Sequence, residues 1–359
     1  MWGTVMKTFN KIGVLTSGGD APGMNAAVRA VVRTAINHGV EVVGIYRGYS
    51  GLIDGDIKPL VRRDVSNIIN KGGTVLYSDR CPEFKTEEGM REALTTCRDI
   101  GIDGIVCIGG DGTFRGALDL TAHGVPCIGI PATIDNDISS TDNTIGFDTA
   151  MNTTLELIDK LRDTCESHAR CNVVEVMGRG AGDIALNTGI ASGAIEIVIP
   201  EIDFDEDAII EHIARCKSLG KRNFIVTVSE GVGSDIGPRL AKEIEKRAGV
   251  ETKFARFAHV VRGGNPTLKD RVLASSLGVA AVEQLLDGKS NLVMCEREGK
   301  IVPCDIKYAL TLDRMYKGKL KDGDLDAFSE SDVEKMKAEA LQKKSNIERL
   351  YKISKTINM

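Results

Sequence analysis

Lys11-Ile12-Gly13-Val14-Leu15-Thr16-Ser17-Gly18-Gly19-Asp20-Ala21-Pro22-Gly23-Met24-Asn25 decides the fold. A short apolar run ends in paired glycines, so it reads as a strand that stops in a tight turn. Pro22 suits the first turn of a helix, Gly39 suits its end, and small or apolar residues stand at 26, 27, 28, 31 and 32. Residues 40–45 form a second apolar run. Strand, helix and strand make a βαβ unit.

The pattern recurs downstream. Ile105-Val106-Cys107-Ile108 leads into Gly109-Gly110-Asp111-Gly112-Thr113, and Pro126-Cys127-Ile128-Gly129-Ile130 into Pro131-Ala132-Thr133-Ile134-Asp135-Asn136-Asp137. Val173-Val174-Glu175-Val176 leads into Met177-Gly178-Arg179, and Phe224-Ile225-Val226-Thr227-Val228 into Ser229-Glu230-Gly231. Short β-branched runs alternating with helical stretches predict an α/β fold with largely parallel sheets, two of them for a chain of 359 residues. Ligands of such sheets bind outside the carboxyl ends of the strands, where the glycines and polar residues cluster here. Near the C-terminus, Ser331-x-x-Glu334 reads as a capping box that opens an amphipathic helix, expected to pack rather than to serve chemistry.

Composition narrows the function classes. With 42% apolar and 27% charged residues the chain is neither disordered nor collagen-like, and it has no apolar run near the ~18 residues a membrane span needs. A net charge of −5 argues against general nucleic-acid binding. Residues 1–7 lack a secretory apolar stretch, so a cytoplasmic location is expected. Nine cysteines at irregular spacing without a C-x-x-C pair, and five scattered histidines, predict no zinc site and no disulfide framework. Glycine, 39 of 359 residues, is in excess.

The glycine turns at 18–19 and 109–112 let backbone N–H groups approach phosphate oxygens without a Cβ in the way. Asp111, a carboxylate inside such a turn, is tolerable only with a cation between it and the phosphates, which suggests Mg²⁺. In Thr133-Ile134-Asp135-Asn136-Asp137 one carboxylate can serve as general base toward an alcohol; an Asx turn explains the same sequence equally well. Arg80, Arg170, Arg179, Lys253, Arg256, His259 and Arg262 stand near strand ends or in glycine-bearing loops. Together these groups describe phosphoryl transfer, where catalysis is mostly positioning and charge neutralisation.

In these blocks and in their order, with Glu175–Arg179 and Arg262-Gly263-Gly264, the chain resembles the 6-phosphofructokinase family over roughly 11–320. The resemblance implies two three-layer α/β domains with the active site in the cleft between them: 1–146 with 261–311 for nucleotide, 147–260 with 312–330 for sugar phosphate, and 331–359 as a helical extension. It implies transfer of the γ-phosphoryl group of ATP to the 1-hydroxyl of fructose 6-phosphate. Asp135 would be the base, with Thr133 and Asp137 beside it, and Arg179 and Arg80 would stabilise the transferring group. Asp111 would hold Mg²⁺. Gly19, Tyr49, Arg80, Cys81, Gly110, Asp111, Gly112 and Thr113 match nucleotide positions. Met177, Gly178, Arg179, Glu230, His259 and Arg262 match sugar-phosphate contacts. Arg170 and Lys253 match contacts to the 6-phosphate from a neighbouring subunit, which implies an oligomer, usually a homotetramer. Pyrophosphate as donor, another sugar phosphate as acceptor, and a non-catalytic regulatory paralogue are the alternatives.

The pyrophosphate-using branch has Asp in place of Gly112 and Lys in place of Ala132, so the two small residues point to ATP. Lys253 stands where the family usually has Arg, and Arg256 is expected to compensate. Arg29, Arg33, Arg62, Arg162 and Lys221 match an effector site for ADP or phosphoenolpyruvate. Ile195 replaces that site's acidic residue and Leu219 one of its lysines, so weak or absent activation by Mg²⁺-ADP is expected.

Overall fold

The computed structural model describes residues 9–358, so the 1–7 start lies outside the described residues. In chain order the elements are β1 (Lys11–Ser17), α1 (Met24–Asn37), β2 (Glu41–Ile45), α2 (Tyr49–Asp54), β3 (Ile57–Leu60), α3 (Glu87–Ile100), β4 (Gly104–Gly109), α4 (Asp111–Ala122) and β5 (Cys127–Pro131). They continue with α5 (Phe147–His168), β6 (Cys171–Val176), α6 (Asp183–Ser192), β7 (Glu196–Val198), α7 (Glu206–Ser218), β8 (Phe224–Ser229), α8 (Ile236–Glu243) and β9 (Thr252–Arg256). Last come α9 (Leu268–Leu286), β10 (Leu292–Arg297), β11 (Lys300–Asp305), α10 (Ile306–Tyr316) and α11 (Glu330–Ile357).

The chain forms two compact units. The first holds the residues up to 134, 138–148 and 262–337; the second holds 135–137, 149–261 and 338 onward. Residues 312–330, which the resemblance assigned to the sugar-phosphate domain, fall in the first unit. Local contacts tie them there: Asp313 accepts the backbone N–H of Ser139 at 2.5 Å, and Arg314 pairs with Asp324 at 3.0 Å.

The sheet of the first unit runs β11-β10-β5-β4-β1-β2-β3. Its five inner strands are parallel and the edges β11 and β3 antiparallel. Alternate residues Leu15, Ile105, Cys107 and Cys127 pack with residues of α2, α3, α4 and α10. The intervening Val14, Val106 and Ile128 are equally buried, so helices cover both faces and the strands read as continuous apolar runs. On the other face α1 lies against α9, where a Cβ on Gly278 would come within 2.6 Å of the Ala30 Cβ. In the second unit the sheet runs β7-β8-β6-β9, all parallel, around Val173, Phe224, Val226, Ile213 and Leu240.

All nine cysteines are free, and burial pushes the Cys97 thiol up to about 12. No helix among the described residues is long and apolar enough to cross a membrane. The C-terminal capping box lies two residues earlier than the sequence pattern suggested. Ser329 Oγ accepts the N–H of Asp332 at 3.1 Å while the Asp332 carboxylate accepts the N–H of Ser329 at 3.3 Å. Asp332 takes the place the pattern gives to Glu or Gln, so Ser-x-x-Glu chose the wrong serine.

Candidate active site

β1, β4 and β5 are neighbours whose carboxyl ends are level: Ser17 is in register with Gly109, and Gly109 with Pro131. The loops at 18–20, 110–113 and 132–134 therefore leave one edge of one sheet. Gly109 is required, because a Cβ there would lie 2.3 Å from the Ser17 carbonyl oxygen. The Thr113 hydroxyl donates to that same carbonyl at 3.0 Å and pins the first turn of α4 to the end of β1. Around Gly110 and Gly112 a Cβ would meet nothing within 4 Å, so the amino end of α4 is open to a ligand. Gly19 serves a close approach of another kind. The Arg262 guanidinium would be 2.6 Å from its Cβ, and Nη1 donates to the Asp20 carbonyl at 3.1 Å. Arg262, matched to the sugar phosphate in the sequence, lies against the glycine turn after β1.

Asp111 opens α4 and pairs with Arg115 at 2.7 Å. No group of three or more metal-ligating side chains occurs among the described residues. One carboxylate at the open amino end of α4 fits Mg²⁺, which takes one or two carboxylates plus substrate phosphates rather than an all-protein cage. Arg80 is exposed and makes no ion pair among the described residues, whereas Cys81 packs on the core. Tyr49 is buried. Its hydroxyl donates to the Thr113 carbonyl at 2.5 Å, and its ring stacks on Phe84 at 4.2 Å. The Tyr49 side chain thus braces α4 from behind and does not present itself to a nucleotide. Tyr49→Phe is expected to lower stability by about 1 kcal/mol and to leave kcat within about twofold, read by thermal melting and initial rates.

Thr133 is half-buried; its carbonyl accepts the Thr144 hydroxyl at 2.5 Å. The loop then enters the second unit with Asp135, Asn136 and Asp137, all buried. Asn136 has φ +52°, a left-handed backbone that Asn tolerates better than most residues. Also in the second unit, the turn after β6 carries Met177, Gly178 and Arg179. Glu230 holds that turn: one carboxylate oxygen accepts the N–H of Gly178 at 3.2 Å and of Arg179 at 2.7 Å. Arg179, at φ +55°, is exposed with no ion pair among the described residues. His259 is exposed at 258–262.

Arg170 and Lys253 come together on one carboxylate that sequence reasoning passed over. Glu251 pairs with Arg170 at 2.9 Å and with Lys253 at 3.1 Å, and the two cations hold its carboxyl down at about 2. Its place two residues before Lys253, on the same side of an extended chain, was the available signal. Arg256 does not join them. Three positions along β9 from Lys253, it points the other way and pairs with the buried Glu175 at 2.6 Å, so it cannot compensate for Lys253. Glu196 likewise faces inward, bonded to His212 at 2.6 Å and to Lys355, beside the buried Ile195.

The phosphofructokinase family profile matches residues 11–285. An ATP-dependent 6-phosphofructokinase of Halalkalibacterium halodurans is 54% identical over 315 residues, 86% of this chain and 98% of that protein. One from Bacillus subtilis is 55% identical over 298 residues, 83% of this chain and 93% of that protein. Among solved structures, phosphofructokinase from Saccharomyces cerevisiae superimposes with a TM-score of 0.84 at 33% identity; the match covers 96% of this chain and spans half the length of that one. A pyrophosphate-dependent phosphofructokinase from Marinobacter aquaeolei reaches a TM-score of 0.73 at 25% identity, covering 83% of each chain.

Proposed function

The chain belongs to the phosphofructokinase family, and we propose that it moves the γ-phosphoryl group of ATP to the 1-hydroxyl of fructose 6-phosphate with Asp135 as general base. Its activity is the ATP-dependent phosphorylation of fructose 6-phosphate, a step of glycolysis; the residue roles are our assignment. Three level strand ends carry it, with the glycine turns of β1 and β4 flanked by the loop that runs from β5 to Asp135. Phosphoryl transfer asks for donors around the phosphates and a base at the attacking hydroxyl. Backbone N–H groups at 110–113, with Gly19 and Arg80, orient the donor. Asp135 takes the proton from the sugar hydroxyl, and Arg179 balances charge that grows on the transferred oxygens. Asp111 would hold Mg²⁺, which when bound supplies further charge neutralisation.

The acceptor's 6-phosphate would be gripped by Arg170 and Lys253 serving a neighbouring subunit, in a cytoplasmic homotetramer. Glu251 then competes for the same two cations. Glu251→Gln is expected to lower the KM for fructose 6-phosphate about threefold, the scale of a solvent-screened pair, with kcat unchanged. An unchanged or higher KM would show that the carboxylate orients the cations instead.

Initial rates with fructose 6-phosphate and Mg²⁺, with ATP and pyrophosphate side by side, test the whole reading. Turnover with ATP alone is expected; turnover with pyrophosphate would remove the role given to Gly112.

A further inference from the structure

We propose that Lys343, on the C-terminal helix α11, is a positioning residue for the catalytic loop: its ammonium holds the backbone of Asn136 in the conformation that sets Asp135 and Asp137. The inference rests on the reading of Asp135 as the base. Lys343 Nζ donates to the Asn136 carbonyl at 3.2 Å, across 207 residues of sequence. That carbonyl belongs to the residue with left-handed backbone between the two carboxylates, so whatever holds it sets the direction in which both leave the chain.

Asn136 is held from its side chain as well, by a hydrogen bond with the Asp183 carboxylate at the start of α6. Burial pushes the carboxyls of Asp183 and Glu201 up, and the Lys343 ammonium draws both back down. Glu201 in turn accepts the N–H of Gly182, one residue before α6, at 2.8 Å. A single cation thus bonds to the catalytic loop and attracts the two carboxylates at the amino end of α6. Helix spacing explains how it gets there. Ala340 and Ile347 are buried and Lys343 lies between them on the same face, where its neighbours Gln342 and Lys344 are exposed. An ammonium on an inward face is costly without partners, and here the Asn136 carbonyl accepts from it while the charges of Asp183 and Glu201 attract it. The C-terminal helix, expected from its sequence only to pack, therefore reaches the chemistry.

The test measures kcat and KM for Lys343→Met, Lys343→Arg and Asp135→Asn alongside the parent enzyme. For Lys343→Met we expect kcat to fall about tenfold or more, with the KM for ATP within about twofold, the pattern of lost positioning rather than lost donor binding. Lys343→Arg, which restores a cationic donor, is expected to recover most of the rate. A Lys343→Met enzyme at parental kcat, beside an inactive Asp135→Asn enzyme, would overturn the role of Lys343 and leave Asp135 as the base. An active Asp135→Asn enzyme would overturn both. Equal losses in the Met and Arg variants would also overturn it, since the cation would then not matter. Should Lys343→Met fail to fold, Lys343→Gln is read by the same criteria.

Discussion

Asp135→Asn is expected to slow phosphoryl transfer by about 10²–10⁴-fold, the contribution a positioned general base makes. The substitution keeps size and shape in a buried loop while removing the negative charge and the ability to accept a proton. Binding should survive, because the donor's phosphates are assigned to backbone amides of another segment, 110–113, whose cradle does not involve Asp135. Steady-state rates at saturating ATP and fructose 6-phosphate would read the loss in kcat, with the KM for ATP unchanged. A variant within tenfold of the parent would mean that proton removal is not costly here and that Asp135 orients the sugar.

Gly112→Asp is the second large effect, an expected loss of ATP-dependent rate of about a hundredfold or more, the scale on which one charge-stabilising group acts. The position itself tolerates a side chain, since a Cβ there meets nothing within 4 Å. What suffers is the ligand: a second carboxylate next to Asp111, at the amino end of α4, would repel the donor's phosphates and fill their space. Ala132→Lys, the other change that marks the pyrophosphate branch, is a poorer test in this chain. Ala132 is buried at 1% exposure, so a lysine there adds the cost of displacing packed neighbours to any effect on the donor. Comparing ATP and pyrophosphate turnover of Gly112→Asp, with melting temperature as a control, isolates the charge. Retained ATP turnover would show that the phosphates bind elsewhere along the turn.

Much of this protein is legible locally. The runs at 11–17, 104–109 and 127–131 are apolar because strands of a parallel sheet are covered on both faces, and the first two stop at glycines because backbones crowd where those strands end. Tyr49 shows where local reading stops. A Tyr beside a glycine-bearing turn is chemically plausible as a nucleotide contact, and only the packing of α2 against α4 turns it inward. Arg256 is another case: period-two alternation along β9 was available in principle, but the strand's limits and the buried Glu175 that claims the guanidinium were not.

The α/β architecture and the family are written in short stretches whose spacing follows from backbone geometry. Which charges face one another is written only in the folded chain. Glu251 lies between Arg170 and Lys253, and Lys343 reaches a loop more than two hundred residues away. The reason is physical: hydrophobic periodicity is local, whereas an ion pair or a hydrogen bond depends on distances that exist only once the chain has closed upon itself.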